Sequence, residues 1–288
     1  MRSDKRQVTG DTKVFASREA ISCQVSRVTR HIGAFTLVEM LVVIAILGIL
    51  AALVVPALKN LGKADAAVSA SREMLDALAR ARQLAINNHT TVYLVFVPTN
   101  FWSSGLGPAL TAAQLADATN LCDRQLSGYT FIAYGAVGDQ PGQHVWNYLN
   151  KWQSLPEGTF IAPWKFRPRS ALLTINNLAG GVSYPVQGFD STNNIPFPTQ
   201  DSPVTVNTPY LPYIAFNYLG QLVSGQHEYI PLARGSVTPA IDSSTKALQF
   251  LPAQVTESPP GNSTNFGFNL VDIDPLTGRA TMRFQSVQ

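Results

Sequence analysis

One acidic residue stands inside a long apolar run, and that run limits what this chain can become more than anything else in its 288 residues. Glu39 follows Gly33-Ala34-Phe35-Thr36-Leu37-Val38, and from Met40 to Leu58 no residue carries a charge. As a helix rising about 1.5 Å per residue, that stretch covers most of a bilayer's hydrocarbon core of about 30 Å. A helix apolar on every side has to be surrounded by lipid or by other helices. A carboxylate there costs about 2.5 kcal/mol or more, so Glu39 predicts a partner and a purpose.

Three kinds of segment have this outline. A secretory signal peptide has an apolar stretch of about 7–15 residues followed by a small-residue cleavage site. Here the stretch is longer, contains Glu39, and has its small pair, Gly33-Ala34, in front. A plain signal anchor explains the length and leaves the carboxylate without a role. The third kind is marked by spacing: Glu39 lies four residues beyond Phe35, Pro56 twenty-one beyond it, and Gly48 between them.

In that register the segment resembles the processing site of bacterial type IV prepilins and pseudopilins. The resemblance implies cleavage before Phe35 by a prepilin peptidase and methylation of the new N-terminus. The family prefers Gly just before the cut, whereas this chain has Ala34 there and Gly33 one step earlier. Cutting after Gly33 would move Glu39 and Pro56 out of register, so the cut is expected after Ala34. The resemblance also implies that Glu39 pairs with the N-terminal ammonium of a neighbouring subunit. Opposite charges attract strongly in a low dielectric, and either one alone there is costly. Partners implied in the same way are sibling pseudopilins and an inner-membrane assembly platform. The expected location is a single pass of the inner membrane with the head in the periplasm or in an extracytoplasmic filament.

The formal net charge of +3 divides unevenly. Residues 1–34 hold seven basic and three acidic side chains, which leaves fourteen and fifteen for the rest. A mature chain from Phe35 is near neutral and has no basic footprint for nucleic acid. Cys23 lies in the leader and Cys122 stands alone after it, so no disulfide within the mature chain is expected. Cys122 reads as a small buried residue.

The expected fold class is α+β: a long N-terminal helix packed by its C-terminal half on an antiparallel, β-rich head. The divisions are 1–34 as cleaved leader, 35–58 as membrane or filament-core stem, 59–88 as amphipathic helix and 89–288 as head. Leu58, Leu61, Val68, Leu75, Leu78 and Ile86 recur at helical spacing and predict the buried face, with alanines as padding. Asp76 and Arg80 are placed for an i,i+4 ion pair, and Asn87-Asn88 for the helix end. Strands are expected at 90–97, 129–134, 158–166, 171–175, 213–218, 228–232, 247–251, 268–273 and 279–285. Thr111 and Gln114 have capping-box spacing for a short helix, and 190–212 and 235–265 read as exposed loops.

The segment from Ala79 to Ile86 followed by Thr91-Val92-Tyr93-Leu94 resembles that of the type II secretion minor pseudopilin H and of FimT-like pilins. Leu155-Pro156-Glu157-Gly158 and Ile214–Gly220 are similar to strand and turn signatures of the same group. Ala34-Phe35 and the turn 274–279 are similar to pilin-like proteins of the Verru/Chthon cassette type.

No enzymatic chemistry is expected, because His89, His144 and His227 are scattered and no catalytic or zinc motif accompanies them. No cofactor is implied. Asp272 and Asp274 offer oxygen ligands for calcium, but the remaining ligands of an EF-hand loop are missing, and Pro275 with Gly278 favours a hairpin turn. The functional expectation implied by the resemblance is a pilin-like subunit, a minor one, of a type II secretion pseudopilus or type IV pilus-like filament that acts by assembly. A major pilin, and a membrane-anchored carbohydrate-binding module using Trp102, Trp146, Trp152 and Trp164, are the rival readings.

Overall fold

The computed structural model describes residues 36–99, 110–135, 144–176, 183–201, 203, 210–245, 249, 251–264 and 267–283, with side chains at 53–65 excepted. The leader, Gly33, Ala34, Phe35 and Trp102 lie outside the described residues, as does most of the expected strand 247–251. The chain divides after Ala52 into two units.

In the first unit, helix α1 begins at Leu37 and runs in sequence to Asn88. Among the described residues no helix is long and apolar enough to cross a membrane. The described part of this unit's helix, Leu37 to Ala52, falls short of the roughly 20 residues that a span requires. The side chains of Leu53–Leu58, which complete the apolar run, lie outside the described residues.

In the second unit the C-terminal part of α1 packs on two antiparallel sheets. The first contains β1 (Thr91–Phe96), β2 (Gly128–Tyr134), β3 (Trp146–Tyr148), β4 (Gln153–Ser154) and β8 (Tyr213–Phe216). Its order is β3-β2-β1-β8, with β4 also on β2. The second holds β5 (Thr159–Ile161), β9 (Glu228–Thr238), β10 (Gln254–Glu257), β11 (Asn269–Ile273) and β12 (Ala280–Arg283), in the order β10-β9-β11-β12 with β5 on β9. A hairpin of β6 (Leu172–Asn176) and β7 (Ser183–Gln187) stands apart. All described strand pairs are antiparallel.

Period-2 alternation decides what each strand buries. Val92, Leu94 and Phe96 of β1 join Ile230 and Leu232 of β9 and Val271 and Ile273 of β11 in the core under α1. Tyr93, Val95 and Val97 point the other way, into a second core with Ala118, Leu121 and Cys122 of helix α2 (Ala112–Cys122). Buried Ile195, Phe197 and Leu211 close that second core, so the described part of 190–212 is not the exposed loop its polar composition predicts. Phe160, Tyr229, Ala233 and Leu270, on the outer face of the second sheet, pack against Ile175 and Val186 of the β6–β7 hairpin.

The seam of α1 also departs from expectation. Ala67, Ala70, Met74, Ala77, Leu78, Ala81 and Ala85 are buried, whereas Val68 is 47% exposed. Small side chains let a helix lie close to a sheet already filled by Phe96, Phe131 and Phe216. The alanines are therefore the contact surface. Asp76 and Arg80 do not form one of the described ion pairs; the Arg80 guanidinium sits over the Phe131 ring, 5.5 Å from its centre. Helix α1 closes with a Schellman arrangement: His89 has φ 50, its N–H bonds Ile86 O at 3.4 Å, and Thr90 N–H bonds Ala85 O at 3.3 Å. Helix α2 opens with the expected capping box, Thr111 Oγ1 accepting from Gln114 N at 3.3 Å and Gln114 Oε1 from Thr111 N at 2.9 Å.

Strand 158–166 is shorter than predicted. It ends at Ile161, and Pro163–Phe166 forms a 3-10 turn, because Pro163 cannot donate to a ladder. Strands β3, β4, β7 and β10 are absent from the sequence expectation; they are short, and β7 contains Pro185.

Candidate functional site

The segment from Thr36 to Ala52 gathers the described residues on which the sequence reading rests. Thr36 precedes the helix, and its Oγ1 accepts from Glu39 N–H at 3.2 Å, filling one of the donors a helix start leaves open. Glu39 occupies the first turn, where negative charge meets the positive end of the helix dipole. On both sides of it the apolar side chains are exposed around the full circumference: Leu37, Val38, Met40, Leu41, Val42, Val43, Ile44, Ile46, Leu47, Ile49 and Leu50. Such a surface is incompatible with water and marks a contact with lipid or with other helices.

Gly48 sharpens that point. A Cβ built at Gly48 meets nothing within 4 Å, so nothing described in this chain requires the glycine there. Small residues let a neighbouring helix approach closely. Helix α1 also continues in sequence through Pro56, whose missing N–H leaves the Ala52 carbonyl without its helical donor.

Asp272 and Asp274 do not converge on a common point. Asp272 is buried on β11 and bonds His227 Nδ1 at 3.0 Å and Arg283 Nη2 at 3.3 Å. Asp274 accepts from Leu276 N, Thr277 N and Thr277 Oγ1 at 3.1, 2.7 and 2.9 Å, forming the turn between β11 and β12. Those bonds, the Thr277 amide first, hold its carboxyl below the usual range. The carboxylates thus organise a hairpin and its base. Among the described residues no group of three or more His, Cys, Asp or Glu is placed to hold a metal.

The tryptophans are divided among the layers. Trp152 is buried in the second core with its indole N–H on Pro198 O at 2.9 Å, and Trp164 packs on Phe268 with its N–H on Ser263 O at 2.9 Å. Trp146 is half-buried between Tyr93 and Tyr134. The three described tryptophans form no shared platform.

One polar cluster has no counterpart in the sequence reading. Lys165, fully buried, donates to Glu228 Oε2 at 3.1 Å and to Gln187 O at 2.8 Å, and its ammonium lies over the Phe189 ring. Arg169 Nη1 holds the other Glu228 oxygen at 2.7 Å. Burial lowers the Lys165 pKa from its ordinary value, and Glu228 opposes that shift. The cluster ties the 3-10 turn to β7 and β9. A lysine in Pro-Trp-Lys-Phe gives no local sign of burial; only the tertiary pairing reveals it.

Comparison with known proteins bears on the N-terminal segment. Residues 29–55 match the family model of the prokaryotic N-terminal methylation motif. That motif is typical of type IV prepilin-like proteins. The match takes in Gly33, Ala34, Phe35, Glu39 and Gly48, and ends one residue before Pro56. No curated protein and no solved structure matches the chain.

Proposed function

We propose that this type IV pilin-like protein works by assembly: a prepilin peptidase cuts between Ala34 and Phe35, the Phe35 amine is methylated, and the stem enters a filament. The observation that carries this reading is the shared register of Phe35, Glu39 and Pro56 within and beside the methylation motif. The exposed apolar segment Leu37–Leu50 supports it, since lipid before assembly and neighbouring stems after it supply what that surface lacks. Glu39 then pairs with the ammonium of an adjacent subunit's Phe35 and sets the axial register. An inner-membrane platform and sibling pilins are its partners. The filament is a type II secretion pseudopilus or a related type IV pilus-like fibre, with this chain as a minor subunit. A large head has more room at a tip than within a tightly repeating shaft.

The test is N-terminal sequencing and intact mass of the mature protein. The expected first residue is methylated Phe35. A start beyond Leu50 would indicate a signal peptide, and an uncut chain a plain anchor; either outcome overturns the reading. Counting copies per filament separates tip from shaft.

A further inference from the structure

Two cavities open on the head where α2 leads into β2, and they share Asn120 and Arg124 as walls. The first, of about 700 Å³, lies against Tyr148, Asn150, Lys151 and Trp152. The second, of about 750 Å³, lies against Ser127, Ser154, Glu157, Thr159 and Ser236. Each has the size of a small-molecule site, and with common walls the two have room for a short chain of linked units.

The side chains around them restrict what fits. Tyr148 and Trp152 meet edge to face with ring centres 6.3 Å apart, and their polar tips are spent, the hydroxyl on Pro196 O and the indole N–H on Pro198 O. These rings therefore offer the first cavity hydrocarbon surface. Asn150 Oδ1 accepts from Phe131 N at 2.8 Å and from Thr130 Oγ1 at 3.0 Å, which fixes the amide and leaves its buried Nδ2 with no partner among the described residues. On the second cavity Thr159 is buried, and its Oγ1 is unpaired in the same sense. A buried polar atom without a partner costs about 1–3 kcal/mol, which a ligand oxygen that pairs with it removes. Charge of both signs surrounds the pair: Asp117, Asp123, Glu157 and Asp201 face Arg124 and Lys151 across the two cavities. An anionic ligand meets the carboxylates and a cationic one meets Arg124 and Lys151. A neutral hydroxyl donates to the first group and accepts from the second.

We propose that the adjoining cavities bind a neutral oligosaccharide, with Tyr148 and Trp152 against an apolar ring face and Asn120, Arg124 and Lys151 on its hydroxyls. The site lies wholly in the head and stands apart from the filament reading, which N-terminal sequencing tests separately. The test is titration calorimetry of the full-length chain in a detergent without a sugar headgroup. The neutral probes are cellotriose, maltotriose and xylotriose; the charged comparators are trigalacturonate and deacetylated chitotriose. At least one neutral trisaccharide should bind saturably and more tightly than either comparator. Asn120 and Lys151 are exposed, so Asn120→Ala and Lys151→Ala should each weaken that binding several-fold while the unfolding midpoint stays unchanged. No binding of any neutral probe, tighter binding of a charged one, or an affinity indifferent to both substitutions would each overturn the proposal.

Discussion

Removing Glu228 should hurt this protein far more than removing Lys165, although the two share one ion pair. Lys165 is fully buried, and its described partners are Glu228, the Gln187 carbonyl and the Phe189 ring. Glu228→Gln strands an ammonium in the core, and breaking a buried pair from one side costs about 3–5 kcal/mol. Lys165→Met keeps a flexible chain of similar length on Phe189 and leaves Glu228 paired with Arg169 at 2.7 Å. Its cost should stay at about 1–2 kcal/mol, the range for a lost hydrogen bond in a refilled site. For a unit of this size each kcal/mol moves the midpoint by about 2–4 °C, so the variants should differ by several degrees. The pH dependence supplies a second sign. Burial holds the folded pKa of Lys165 below its ordinary value, so between the two values the unfolded chain binds more protons. Stability contributed by this group therefore rises with pH across that interval and is lost as pH falls through the folded value. Without Glu228 to oppose the shift, the interval widens, and the Glu228→Gln defect should shrink as pH climbs toward 10.5. Thermal unfolding of the full chain in detergent, followed by the fluorescence of the adjacent Trp164, measures both effects. Equal losses for the two variants, or a Glu228→Gln defect that ignores pH, would refute the reasoning.

Glu39→Ala should leave membrane insertion intact while filament incorporation falls sharply, because the change removes a costly intramembrane charge and strands the neighbouring ammonium; co-purification with sibling pilins at the wild-type level would count against the pairing. Gly48→Leu should leave the unfolding midpoint of the head unchanged, since a Cβ there meets nothing within 4 Å, yet reduce assembly by holding neighbouring stems apart. Gly225→Ala should cost about 1–2 kcal/mol for its left-handed backbone alone, at φ +65 with open space around it. Gly278→Ala should cost clearly more in the same unfolding assay, because its Cβ would lie 2.0 Å from Gly220 O.

The parts of the chain legible in its sequence are those whose physics is local. Thr111 and Gln114 announce a capping box because both partners lie within one turn, and the structure makes both bonds. The β-branched and aromatic run from Thr91 to Phe96 reads as a strand because alternation alone places its two faces. The seam of α1 does not read in this way. Val68 is the larger apolar side chain and stays 47% exposed, while Ala70, Ala77, Ala81 and Ala85 are buried. Which residues a helix buries depends on the bulk opposite, and here Phe96, Phe131 and Phe216 already fill the space. Similarly, Ile195 and Phe197 sit in a Pro- and Asn-rich segment, and only the uncovered side of β1 explains why they turn inward.

The stem is the opposite case, and this explains why the candidate site was clearer in the sequence than much of the fold. Among the described residues nothing covers the apolar side chains from Leu37 to Leu50, so composition alone states the demand for an apolar surrounding. Glu39 adds a second demand of the other kind, a cation at one level of that surrounding. The two demands are incompatible for a lone helix in lipid and compatible within a bundle of identical or sibling stems whose N-terminal amines lie at that level. In the proposed assembly a filament core satisfies both at once, and a carboxylate costly in the membrane is then consistent with a segment that leaves it for a bundle.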